Sequence, residues 1–186
     1  MTATECHYPQ PFSEYVILVD DQDRQIGLAE KLEAHQKNWL HRAFSAFIFR
    51  KQPRLEILMQ QRALHKYHSP GLWTNTCCSH PRMGESVIDA GQRRLQEEMG
   101  VTVILKEVGW FQYNAHFSNG LSEHEIDHVL VGEAQNDMAV HPNPGEVHAY
   151  QWMTVEDLEQ DLANYPEKYT QWLGQALKMA KTGLRF

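Results

Sequence analysis

Long apolar runs are missing from this sequence. AFSAFIF, residues 43–49, is among the longest and falls far short of the roughly 18–20 apolar residues of a membrane span, so no membrane partner is expected. Cysteine is scarce. The three thiols, Cys6, Cys77 and Cys78, exclude a dense disulfide scaffold, and their odd number suits a reducing compartment. The first residues, MTATECHYPQPF, lack the basic start and apolar stretch of a signal peptide, and together these features predict the cytoplasm. Positive charge is in deficit, with 17 Lys and Arg against 24 Asp and Glu and a net charge of −7. Nucleic acids and anionic membranes both want a basic face, so neither is the expected partner, although a local basic pocket is compatible with the balance. Internal repeats and low-complexity tracts are also absent. Histidine and tryptophan, by contrast, are plentiful at 11 and 5.

A chain of 186 residues with 42% hydrophobic and 22% charged residues has globular composition and room for one core, so residues 1–186 read as a single domain. Residues 1–13, with Pro9 and Pro11, read as a loose arm. Strands are predicted at Glu14–Asp20, His41–Phe49 and Leu55–Gln61, the last two joined as a hairpin by the turn Gln52-Pro53-Arg54. Trp73–Ser79 reads as a short extended segment ended by Pro81. Glu85–Met99 carries Val87, Ile88, Gly91, Leu95 and Met99 as a helical stripe, with Gly100 placed to cap it. Further strands are predicted at Val101–Glu107, Val108–Phe117, Glu125–Ala134 and Val147–Met153. Helices over Thr154–Ala163 and Tyr165–Thr182 close the chain. This order predicts an α/β (α+β) fold, a mixed sheet flanked by helices.

Chemistry-bearing residues gather in four places. Alternation along a strand puts Cys78 and His80 on one face and Cys77 and Ser79 on the other. A thiol beside an imidazole serves as nucleophile, acid, base or ligand, or simply packs as a small core residue. In Glu123-His124-Glu125 the two carboxylates share a face, which calls for a solvated edge or a cation between them. His35 and His41 flank the start of the buried strand; with His80 and the two glutamates they offer nitrogen and oxygen donors for a divalent ion, more of them than a tetrahedral structural zinc site takes. On the helix, Arg94, Glu97 and Glu98 share a face, either as a solvated ion-pair cluster or as a magnesium site. Lys31, Arg62, Lys66 and Arg82 lie near these groups in sequence and suit a phosphate-bearing substrate.

Long segments resemble the type I isopentenyl-diphosphate isomerases. TNTCCSHP at Thr74–Pro81 and EHEID at Glu123–Asp127 carry the likeness, with LHRAFSAFIF at Leu40–Phe49 and PGLWTN at Pro70–Asn75, and it runs from about Glu14 to Trp172. The resemblance implies the Nudix fold, a mixed β-sheet sandwiched between helices, and the conversion of isopentenyl diphosphate to dimethylallyl diphosphate. It implies Cys78 and Glu125 as the catalytic pair, assisted by Tyr113. It assigns His35, His41, His80, Glu123 and Glu125 to one divalent metal (Mn2+, Zn2+ or Mg2+), and Glu98 to Mg2+ at the diphosphate. Lys31, Arg62, Lys66 and Ser79 match diphosphate contacts, and Trp172 matches an aromatic lid over the hydrocarbon. Trp172 also sits with Leu173, Ala176 and Leu177 in a pattern that fits plain core packing. Arg94 stands where pyrophosphate-cleaving Nudix members carry the first glutamate of their metal-binding motif, which favours isomerisation over a Nudix pyrophosphatase acting on a diphosphate. The expected partner is a small isoprenoid diphosphate, and the expected assembly a monomer or weak homo-oligomer.

Overall fold

The computed structural model describes residues 15–184 except 52 and 67; the arm expected over residues 1–13 lies outside them. Its centre is β3 (His41–Arg50), a strand buried on both faces. Such strands read as continuous apolar runs because neither side meets water. β3 runs parallel to β8 (Ser122–Glu133), with His41 opposite Glu125 and Ser45 opposite Val129. β8 in turn pairs antiparallel with β7 (Leu105–His116), placing Tyr113 opposite Glu125. The two strands expected at Val101–Glu107 and Val108–Phe117 are therefore one. The register shifts between Glu107 and Gly109, where Val108 forms a bulge, which turns the strand without ending it.

β1 (Tyr15–Val19) and β2 (Gln25–Glu30) form an antiparallel hairpin whose Leu18 meets His41 of β3. β2 and the short α1 (Lys31–Gln36) were not predicted. The β2 sequence QIGLAE is mostly exposed and lacks a clear apolar alternation, and α1 is too short to show a period. Glu30 starts α1 by accepting from the backbone N–H groups of Leu32 and Glu33.

Two helical layers cover the sheet. On one side α2 (Val87–Met99) lays Ala90, Leu95 and Met99 on Phe44, Ile48, Leu58 and Leu130. Ser86 caps its start and left-handed Gly100 its end. A Cβ at Gly91 would come within 2.6 Å of Leu130 Cδ1 and 2.8 Å of Leu105 Cδ1, so this residue sets how closely the helix approaches the sheet. On the other side α3 (Val155–Asn164) and α4 (Leu173–Thr182) pack Leu158, Leu173, Ala176 and Leu177 on Phe47, Phe49, Met59 and Val129. The long closing helix expected over Tyr165–Thr182 is interrupted. A 3-10 turn at Pro166–Lys168 gives way to an extended stretch in which Tyr169 bridges Trp73 and the Thr170 hydroxyl lies 2.9 Å from that of Thr74. Tertiary pairing overrides helix propensity there, and it delivers Trp172 to the start of α4.

Candidate active site and metal centre

A splayed hairpin makes the cavity. β3 and β4 (Glu56–Arg62) pair only at Phe49–Ile57 and Arg50–Glu56, then part. Residues 73–79 enter the gap as two strands instead of the single segment expected: β5 (Trp73–Thr74) adds to β4 and β6 (Cys77–Ser79) to β3. Thr76 bridges the split, its hydroxyl donating to Leu58 O at 2.6 Å and accepting from Ile48 N at 3.0 Å. Asn75 donates from Nδ2 to Ala46 O (3.0 Å) and Cys77 O (2.9 Å). Both donors being used on carbonyls, the orientation of this amide is settled and its Oδ1 faces Cys78. β9 (Val147–Thr154) covers the other edge of β4. The resulting cavity holds about 620 Å3 of space including its open mouth.

One wall carries the thiol. Cys77 and Cys78 take opposite faces of β6: Cys77 is buried among the α2 core residues, whereas Cys78 borders the cavity. The Cys78 thiol donates to Asn75 Oδ1 at 2.9 Å and accepts from Trp172 Nε1 at 3.1 Å, with Ser45 Oγ at 3.5 Å. Burial, reinforced by nearby Asp127, pushes its pKa up to about 12, so it is a neutral thiol. Ser79 was expected to turn away with Cys77, yet it too borders the cavity, because β6 ends there and the chain swings toward Pro81.

The facing wall carries carboxylates. Alternation along β8 presents Glu123, Glu125 and Asp127 on one face, all buried. His124 points away, its ring against Asn38 O and Gln112 Nε2, each at 3.0 Å. Tyr113 donates its hydroxyl to Glu125 Oε2 at 2.5 Å, and burial together with Glu125 holds that phenol well above its usual range. Trp172 lies between the walls, 6.2 Å from the Tyr113 ring and only 4% exposed. It touches both readings made of it, since it is packed and also donates to the thiol.

Four imidazoles, those of His35, His41, His68 and His80, gather beside these carboxylates. His35 Nδ1 bonds Lys31 O at 2.6 Å and His41 Nδ1 bonds Trp39 O at 2.8 Å. A carbonyl only accepts, so each Nδ1 carries a hydrogen and Nε2 is the atom turned inward. His35 Nε2 lies 3.2 Å from Glu123 Oε2, and His41 Nε2 and His80 Nε2 lie 3.3 and 3.0 Å from Glu125 Oε1. One ligand atom from each of His35, His41, His80 and Glu125 lies within 4.8 Å of the others. Burial drives His80 down to about 3, so its imidazole is neutral. Burial also works to raise the Glu125 pKa, but His41 and His80 beside it hold it well below the carboxylate range. His41 Nε2 and Glu123 Oε2 make no hydrogen bond although both are buried. Something positive must separate these inward-facing nitrogens from the carboxylates, either protons on the rings or a divalent cation, and the mixed nitrogen and oxygen donors fit a cation.

The cavity is also lined by cations. Lys31, Arg62, Lys66 and Arg94 all border it. Glu98, 4% exposed, is held at Oε1 by Arg94 (2.5 Å) and at Oε2 by Gln60 (2.9 Å). Glu146 pairs with Lys66 and lies 3.4 Å from Arg94. Sequence reasoning did not single out Ser45, Gln60, Asn75, Asp127 or Glu146, nor His68, whose Nε2 lies 3.0 Å from Glu123 Oε1; it read Arg94 as sharing a helix face with Glu97 and Glu98 and as a departure from a motif, without placing it in the cavity wall.

A mixed sheet between two helical layers, with the site at the mouth of a parted strand pair, defines a Nudix-domain protein, and the NUDIX domain family model matches residues 39–173. Solved structures share the fold: DR0079 of Deinococcus radiodurans superimposes with a TM-score of 0.72 over 90% of this chain and 99% of its own at 18% identity. The NUDIX domain of Shewanella oneidensis NrtR gives 0.60 over 78% and 88% at 18% identity. Nearer in sequence is an isopentenyl-diphosphate Delta-isomerase of Photobacterium profundum, 51% identical over 168 residues that cover 89% of this chain and 93% of the relative. Its counterpart in Burkholderia multivorans is 50% identical over 86% and 88%. The chain belongs to the isopentenyl-diphosphate Delta-isomerase family within the Nudix superfamily.

Proposed function

We propose that this protein converts isopentenyl diphosphate to dimethylallyl diphosphate. The observation that carries the reading is one cavity with a neutral thiol on one wall, a Tyr113–Glu125 pair on the facing wall and cations lining it. The reaction adds a proton to the terminal alkene carbon and removes one from the carbon on the far side of the branch. Charge and atoms balance within the five-carbon unit, and the diphosphate is untouched. Two proton-handling groups on opposed walls are what such a shift needs, with water kept out so that the intermediate cation is not quenched.

Cys78 handles the proton on one side and Glu125, through its short bond to Tyr113, on the other. Trp172 offers its ring to the transient positive charge, an interaction worth roughly 0.5–2 kcal/mol. Lys31, Arg62, Lys66 and Ser79 bind the diphosphate, whose attachment supplies binding energy remote from the reacting carbons. His35, His41, His80, Glu123 and Glu125 would hold one divalent metal, Mn2+, Zn2+ or Mg2+, and Glu98 a Mg2+ shared with the diphosphate; bound there, the ions fix the Glu125 carboxyl and neutralise phosphate charge.

Incubation with isopentenyl diphosphate and Mg2+ in deuterated water tests the reading. Dimethylallyl product carrying deuterium is expected, with turnover lost in Cys78→Ala and Glu125→Gln. Release of inorganic phosphate or pyrophosphate without isomerised product would replace it with hydrolysis.

A further inference from the structure

We propose that His68 is a positioning residue for the metal centre, holding the Glu123 carboxylate by a hydrogen bond so that its other oxygen faces the cation; this rests on the metal reading above. His68 sits in the loop between β4 and β5. The loop is tied back at its base, with Gly71 N bonded to Arg62 O and Arg62 N to Leu72 O. His68 O accepts from Arg62 Nη2 at 3.3 Å. The next residue, Ser69, takes the left-handed region at φ 47°, which a non-glycine residue occupies only when its surroundings impose it. That turn drives the imidazole inward until it is 7% exposed.

Once inside, the ring is clamped. It stacks on Phe117 at 5.6 Å and 21°, and on His35 at 5.7 Å and 22°. Its Nε2 lies 3.0 Å from Glu123 Oε1, while Glu123 Oε2 is the oxygen turned to His35 at 3.2 Å. The two carboxylate oxygens therefore have different duties. Among the described residues two overlapping groups could hold a cation, His35, His41, His80 and Glu125, and His35, His68 and Glu123; in our reading the first, joined by Glu123 Oε2, takes the ion, and His68 stands behind Glu123 Oε1. From that place it orders a ligand without displacing one. Carboxylates that bind metals are regularly hydrogen-bonded by a second group, and loss of that group weakens metal affinity roughly 10–100-fold.

Two substitutions separate the hydrogen bond from the stacking. His68→Phe keeps a flat ring between Phe117 and His35 but cannot donate. His68→Gln gives up the stack and keeps a donor. Affinities for Mn2+ and Co2+ are read on the metal-stripped proteins by competition with a chelator, and the absorption spectrum of the Co2+ form reports the number of ligands. Thermal melts of the stripped proteins show that each variant is folded. We expect His68→Phe to bind both ions about 10–100-fold more weakly with an unchanged Co2+ spectrum, and His68→Gln to stay within a few-fold of the unaltered protein. Unchanged affinity in His68→Phe, or greater loss in His68→Gln, overturns the assignment. An altered Co2+ spectrum overturns it as well, by making His68 a ligand. If the unaltered protein binds neither ion, the metal reading itself fails, an outcome distinct from all of these.

Discussion

The neutrality of Cys78 makes a prediction that chemistry can check without any substrate. The perturbation is pH, applied to metal-stripped protein in the presence of iodoacetamide, which reacts with the thiolate alone. Burial and Asp127 carry the Cys78 pKa from 9.0 to about 12, while Ser45, Trp172 and Thr74 pull the other way. A shift of about three units corresponds to roughly 4 kcal/mol against the charged form. Near pH 9 an exposed thiol is half ionised, whereas Cys78 would be ionised in about one molecule in a thousand. Its alkylation, followed by mass spectrometry of the Cys78 peptide, should climb about tenfold per pH unit through pH 10 with no plateau. Stability follows the same proton. Between the unfolded and folded pKa the folded protein binds more protons, so this contribution is fully present below about pH 9 and is lost as pH rises toward 12. Trp172→Phe, which removes an N–H donor to the sulfur at 3.1 Å, should depress the rate further, and Asp127→Asn should raise it. A plateau below pH 10 would refute the argument that burial governs this thiol.

Two other consequences are simpler to state. Tyr113→Phe removes the 2.5 Å bond to Glu125; bonds to charged groups contribute about 1.5–3 kcal/mol, so kcat should fall roughly 10–150-fold with KM for the diphosphate little moved, and an equal rise in KM would place Tyr113 in substrate binding instead. Gly91→Ala inserts a methyl group within 2.8 Å of both Leu130 and Leu105, and the overpacking should cost about 1–3 kcal/mol in denaturant unfolding; an unchanged midpoint would mean that the α2 layer yields without strain.

How much of this was legible depended on whether the information was local. α2 was readable to within two residues, since its apolar stripe and Gly100 are signals within one element; its start at Val87 and the Ser86 cap were not read. The shared face of Glu123 and Glu125 followed from the two-residue period of a strand, as did the outward turn of His124. What escaped was set by contacts distant in sequence. Nothing near Thr170 says that it will meet Thr74, and that contact breaks the closing helix. Nothing in the hairpin sequence between β3 and β4 shows that it will splay, because the wedge is Thr76, some twenty residues on. His68 escaped for the same reason. It stands in a loop with no period, and only the backbone turn at Ser69 and the ring of Phe117, almost fifty residues away, make it part of the site.

The same splay sets unlike groups around one cavity. The face of α2 that borders the cavity carries Arg94 and Glu98. Arg94 is bonded to Glu97 at 2.8 Å and Glu98 at 2.5 Å, and Gln60 takes the remaining Glu98 oxygen. The Arg94 guanidinium puts positive charge on this wall of the cavity, which suits gripping a diphosphate. Among the described residues, the groups that could hold a cation gather around Glu123 and Glu125, where α1, β3 and β8 meet. There they adjoin the wall that faces Cys78. Parting β3 from β4 makes room in one cavity for cations, imidazoles, carboxylates and a thiol held by Asn75.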